Sequence, residues 1–96
     1  MLYAFSDKLA NTECVYAVLA YSVASQKYDV LYVGETKDLG DTLANHPRRE
    51  DWLMASATHV FVHPTHTSRE HRREIARPII TDFAPPFNNN KHTGAA

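Results

Sequence analysis

The chain reads as an α+β domain, and three observations carry that reading. Cys14 to Val23 and the run opening at Asp29 are dense in β-branched and aromatic residues, and the polar Ala24-Ser25-Gln26-Lys27 between them suits a hairpin. A third run of the same kind, Thr58 to His63, follows much later. Between and after these runs stand helical patterns: Leu39 with Leu43, the stretch Arg48 to Ala55, and a long segment opened by Thr67 and Glu70.

The elements follow in order. Leu2, Tyr3, Ala4 and Phe5 precede Ser6, which is expected to cap one or two turns through Ala10, with Phe5 and Leu9 anchoring the segment. A period of two along Cys14 to Val23 sets Tyr16, Val18 and Ala20 on one face and Val15, Ala17, Leu19 and Tyr21 on the other. Gly34 breaks the return strand and lets the backbone turn or approach something closely. Asp38 is placed to cap the next helix, and Asp41 puts negative charge at its positive end. Pro47 stops that helix, because the residue before a proline is disfavoured in α. Trp52, on the short helix Arg48 to Ala55, is expected to pack across the sheet. In the third strand Val60 and Val62 share one face, and His59, Phe61 and His63 the other. Thr67 and Glu70 fit a capping box, so the last helix begins there. Pro78 is expected to kink it or split it; Ile79, Ile80 and Phe83 continue its apolar face, and Pro85-Pro86 ends it. Residues 1–90 read as one domain and 91–96 as a flexible tail.

The composition narrows the function. A chain of 96 residues, 44% hydrophobic and 22% charged, is a single ordinary globular domain rather than a fibrous or disordered one. A net charge of −1 gives no global attraction to nucleic acid, so any such binding must come from a local patch. Cys14 is the only cysteine, which excludes an internal disulfide and makes a cytoplasmic location the natural expectation. No apolar run approaches the roughly 18 residues of a membrane span, and the N-terminus lacks a basic region before an apolar one, so neither a membrane nor a secretory signal is expected. His59, His63, His66 and His71 match no zinc-site spacing, and no metal site is expected from them.

Four short motifs, taken in order, point further. Tyr16 lies in the first long strand, and Tyr32-Val33-Gly34 closes the second. Leu39, Leu43 and His46 then keep the spacing of a helix, and Pro85-Pro86-Phe87-Asn88 stands near the end. Together these resemble the GIY-YIG nuclease domain, over about Phe5 to Asn88. The resemblance implies a small three-stranded antiparallel sheet flanked by helices, with Tyr16, Tyr32, His46 and Asn88 at active-site positions. In that family a helix arginine supplies a cation to the phosphodiester, and a glutamate on the later helix holds a divalent metal.

Both charged positions have changed. The arginine position falls on Thr42, since Leu39, Leu43 and His46 fix the register. Counting back twelve residues from Asn88 reaches Ala76, where the glutamate would stand. Glu74 is two residues away, about 200° around a helix, and so faces nearly the opposite way. The resemblance with these losses implies a domain without nuclease catalysis, kept as a nucleic-acid-binding or regulatory module. Arg69, Arg72, Arg73 and Arg77, with Arg48 and Arg49 as further candidates, supply the local basic patch for DNA or RNA. No cofactor is expected. Two alternatives stand beside this. One is an active endonuclease, dependent on Mg or Mn, using Arg72 or Arg73 as cation and Glu35, Glu74 or Asp38 as metal ligand. The other is a protein-interaction module that binds no nucleic acid, which the near-zero net charge favours.

Overall fold

The computed structural model describes residues 1–88. The fold is α+β: a four-stranded antiparallel sheet in the order β1-β4-β2-β3, with three helices. The strands are β1 (Leu2–Ala4), β2 (Cys14–Ser22), β3 (Lys27–Thr36) and β4 (His59–Pro64); the helices are α1 (Leu39–Asn45), α2 (Arg49–Met54) and α3 (Arg69–Phe83). The tail expected over 91–96 lies outside the described residues.

The long β2–β3 hairpin is the frame. Its turn closes with Gln26 at φ 56° and a hydrogen bond from Gln26 N to Ser22 O. Tyr16 stands opposite Gly34 and Ala17 opposite Val33, with an irregularity at Val18/Leu19 that leaves Leu31 unpaired. The other edge of β2 pairs with β4, Val18 opposite Val60 and Tyr16 opposite Val62.

The sheet has one strand more than expected. Leu2–Ala4 pairs with β4, Leu2 opposite Phe61, and the N-terminal ammonium donates to Val62 O. Three residues carry too little alternation to mark a strand by themselves; the open edge of β4 decides their conformation. The helical turns expected through Ala10 do not form, and the chain makes only a single turn at Phe5 and Ser6, with Asp7 N donating to Ala4 O.

Alternation along the strands divides the molecule into two apolar layers. On one side Tyr16, Val18, Leu31, Val60 and Val62 pack with Phe5, Leu39, Leu43 and Trp52, beneath α1 and α2. On the other, Val15 and Val33 pack with Ala76 of α3, flanked by Val30, Ile75, Ile79 and Ile80. Helix α3 covers β3 and β2, while Phe61 and Leu2 on the same sheet face remain 45% and 47% exposed.

The helix ends differ from expectation in detail. Asp38 makes no side-chain cap; instead Thr36 Oγ1 accepts from Asp38 N. The start of α3 is capped by Ser68, whose Oγ accepts from His71 N, so the Thr67–Glu70 capping box is not formed. Pro78 neither splits nor ends α3. It sits on an exposed flank, as does Glu74, so the carbonyl that loses its donor can be hydrated. The helix stops at Ala84, which turns left-handed and donates to Ile80 O. Among the described residues no helix is long and apolar enough to cross a membrane.

Candidate functional site

The tyrosines meet because the hairpin register brings them together. Tyr16 and Tyr32 point from neighbouring strands into the α1/α2 layer, with ring centroids 6.2 Å apart. Gly34 makes this possible. A Cβ there would lie 2.7 Å from Tyr16 Oη and 2.9 Å from Tyr32 Cε2, so the rings lie across bare backbone. His46 joins at the end of α1, its ring 5.0 Å from Tyr32 and 4.5 Å from Trp52. Trp52 is fully buried, and its Nε1 has no hydrogen-bond partner among the described residues. The sequence had marked Trp52 for the core, but not as the wall of this aromatic cluster.

The cluster is electrically quiet. Burial pushes the Tyr16 phenol far above its ordinary range, helped by Tyr32, Cys14 and Glu35. Burial also raises Tyr32; Arg48 opposes this and Glu35 adds to it. His46 is pushed down, by burial first and then by Arg48, so the imidazole is neutral. Its Nδ1 accepts from Arg48 N at 3.0 Å. The neutral ring therefore carries its proton at Nε2 and has no lone pair free to take one from water. Two protonated phenols and this imidazole can donate hydrogen bonds, but they hold no ready base.

The remaining motif positions lie elsewhere. Thr42 turns its hydroxyl to Thr36, Oγ1 to Oγ1 at 2.7 Å. Ala76 is buried against Val15 and Val33, which face away from the two tyrosines. Asn88 lies along the free edge of β3. Its Oδ1 accepts from Val33 N and its Nδ2 donates to Val33 O, each at 2.7 Å. Both ends of that amide complete the sheet edge, as a further strand would.

The arginines converge on a residue the sequence suggested only as a metal ligand. Glu35 shares its sheet face with Val33, under the first turns of α3. Its Oε1 accepts from Arg72 Nε at 2.9 Å; its Oε2 is 3.5 Å from Arg69 Nε and 3.8 Å from Arg73 Nε. Arg72 is buried, donates also to Thr67 O, and lies 3.6 Å from Glu13. It is a tie between α3 and the sheet rather than a surface contact. Arg69 and Arg73 are 69% and 55% exposed at their side chains, and Arg77 is exposed further along the same stripe. Arg48 pairs with Asp51, and Arg49 donates to Leu43 O beneath the Phe5 ring. An open groove of about 600 Å³ runs over Glu35, bounded by Lys37, Asp38, Thr67 and Arg69. The signal for Glu35 was available in the strand period: two residues beyond Val33, it had to share the face that α3 covers.

Among the described residues no group of three or more His, Cys, Asp or Glu side chains is arranged to hold a metal. Comparison of the chain with protein-family models, with curated proteins and with solved structures finds no match.

Proposed function

We propose that this chain is a GIY-YIG-like domain that does not cleave phosphodiesters and binds the backbone of DNA or RNA through the exposed guanidinium groups of Arg69, Arg73 and Arg77. One observation carries the reading. At the two motif positions that need opposite charges stand a hydroxyl bonded to Thr36 and a methyl group buried with Val15 and Val33. One-step hydrolysis needs a cation at the developing charge, a metal on the phosphoryl oxygens and a base for the water. The aromatic cluster is neutral and supports no base, so its part in this reading is to hold α1 and α2 on the sheet.

The three arginines are spaced four apart, about 6 Å per step along a helix, which suits successive contacts along one strand. The experiment incubates the protein with single-stranded and duplex DNA and RNA in magnesium and in manganese. No cleavage is expected, and salt-sensitive binding is, weakened when Arg73 and Arg77 are changed to Ala. Metal-dependent cutting would overturn the reading. Binding that ignores salt would remove its backbone contacts.

The active alternative has the Glu35–Arg72 pair in its favour, a carboxylate and a guanidinium 2.9 Å apart. It requires metal-dependent cleavage that disappears in Glu35→Gln. The protein-interaction alternative has the exposed Leu2, Phe61 and Phe83 in its favour. It requires that Phe61→Ser abolish binding of a protein partner and leave nucleic acid untouched.

A further inference from the structure

Three guanidinium groups surround one carboxylate, and they are not equivalent. Arg72 makes the only short bond, to Glu35 Oε1, and is buried. Arg69 and Arg73 approach Glu35 Oε2 at 3.5 and 3.8 Å, too far for well-made hydrogen bonds, with side chains more than half exposed. Their forks are drawn inward by charge but are not satisfied there. The groove beside Arg69 and Arg72 is also lined by Lys37, Thr36, Thr67 and Ser68, though the Thr36 hydroxyl is already bonded to Thr42 and the Ser68 Oγ already caps α3. Facing these groups are the carboxylates of Glu35, Glu13 and Asp38, with Glu13 also 3.3 Å from His66 Nδ1. Four cations, Arg69, Arg72, Arg73 and Lys37, thus meet three anions.

Arginine forks in pairs are suited to a tetrahedral, multiply charged oxyanion, which can accept two parallel bonds from each. A lone carboxylate oxygen cannot give both Arg69 and Arg73 such bonds while its partner oxygen is held by Arg72. We infer that Arg69 and Arg73, with Lys37 at the mouth, form a phosphate site and that Glu35 is its built-in competitor. The Glu35 carboxylate holds the two forks when the site is empty. A phosphate group recruits them outward, while Glu35 stays on Arg72. Glu35 therefore lowers the affinity of the site without destroying it, and keeps the ligand in rapid exchange.

This inference rests on the backbone-binding reading above and names the gate of that same surface. The test compares wild type with Glu35→Gln, which keeps an oxygen for Arg72 and removes the charge facing Arg69 and Arg73. Binding is measured by titration with inorganic phosphate in one arm and with a fluorescent single-stranded oligonucleotide in the other. Removing one negative charge a few ångströms from a bound phosphate is expected to tighten binding about tenfold in both arms, less at high salt. A gain confined to inorganic phosphate assigns the site to free phosphate esters rather than to a backbone. The gain must vanish when Arg69→Ala and Arg73→Ala are added to Glu35→Gln. A folded Glu35→Gln that binds both probes no more tightly than wild type overturns the inference. If Glu35→Gln does not fold, Glu35→Asp replaces it. That variant withdraws the carboxylate by one methylene, and it must tighten binding about threefold for the inference to stand. The two proposals fail separately. Wild type and Glu35→Gln that both ignore the oligonucleotide, with phosphate binding that tightens in Glu35→Gln, sink the function and keep the gate; wild-type oligonucleotide binding that Glu35→Gln leaves unchanged does the opposite.

Discussion

At the scale of single residues, the motif positions that look catalytic carry structural duties. Gly34 is the clearest. Its missing side chain is the space in which the Tyr16 and Tyr32 rings lie. Gly34→Ala is expected to cost about 1–3 kcal/mol through overpacking, read as a lower denaturant midpoint with unchanged slope. Asn88 is the second. Its amide replaces the next strand at the edge of β3, bonding Val33 on both sides. Asn88→Ala is expected to cost about 1–3 kcal/mol because Val33 N–H and C=O lose their partners. Asn88→Asp should also lose stability, since a carboxylate cannot donate to Val33 O. A thermal melt of the three proteins checks both statements. The spacing that identified Asn88 was legible in the chain. Its duty was not, because that depends on where the segment after Pro86 comes to rest against β3.

At the scale of elements, local signals placed the helices well and their ends less well. α1 stops where Pro47 requires, with His46 extended at ψ 138°. At the start of α3 the cap lies one residue beyond the expected one, and Ser68 takes the role that Thr67 and Glu70 suggested. The tie from Arg72 to Thr67 O fixes Thr67 outside the helix. Ser68→Ala is expected to cost about 1 kcal/mol, and Thr67→Ala much less, which chemical denaturation of the two variants distinguishes. Pro78 is tolerated because it and Glu74, four residues before it, lie on the solvent-facing flank of α3. Pro78→Ala restores one donor and is expected to stabilise by about 1–3 kcal/mol. A fall in melting temperature would show instead that Pro78 is needed for Ile79 and Ile80 to reach the sheet.

At the scale of the whole molecule, the sheet keeps two separate chemistries on its two faces. Below α1 and α2 lies the neutral aromatic cluster; below α3 lies the charged knot around Glu35. The neutral side predicts a pH dependence. Burial and Arg48 depress the folded-state pKa of His46 below its ordinary value of 6.5. Above that value neither state binds the proton, and the contribution to stability is complete. As the pH falls through it, the unfolded chain takes up a proton that the folded one refuses, so stability declines. His46→Asn should flatten the stability curve on the acid side of neutrality relative to wild type, measured by urea unfolding across the pH range. Cys14 belongs to the same interior. Burial raises its thiol to about 11, with Arg72 opposing and Glu35 adding.

The chain by itself determined the α+β class, the hairpin, the order of helices and strands, and which residues face which side of β2. These follow from periods of two and of 3.6 and from prolines and glycines, which act within a few residues. It also determined that positions 42 and 76 carry no charge. Only the tertiary structure decided that Leu2–Ala4 joins the sheet, that Asn88 completes its other edge, and that three arginines meet on Glu35. Each of these pairs groups far apart along the chain, and a contact of that kind is selected by the backbone edges left open and the charges left unmatched once the hairpin and α3 have packed.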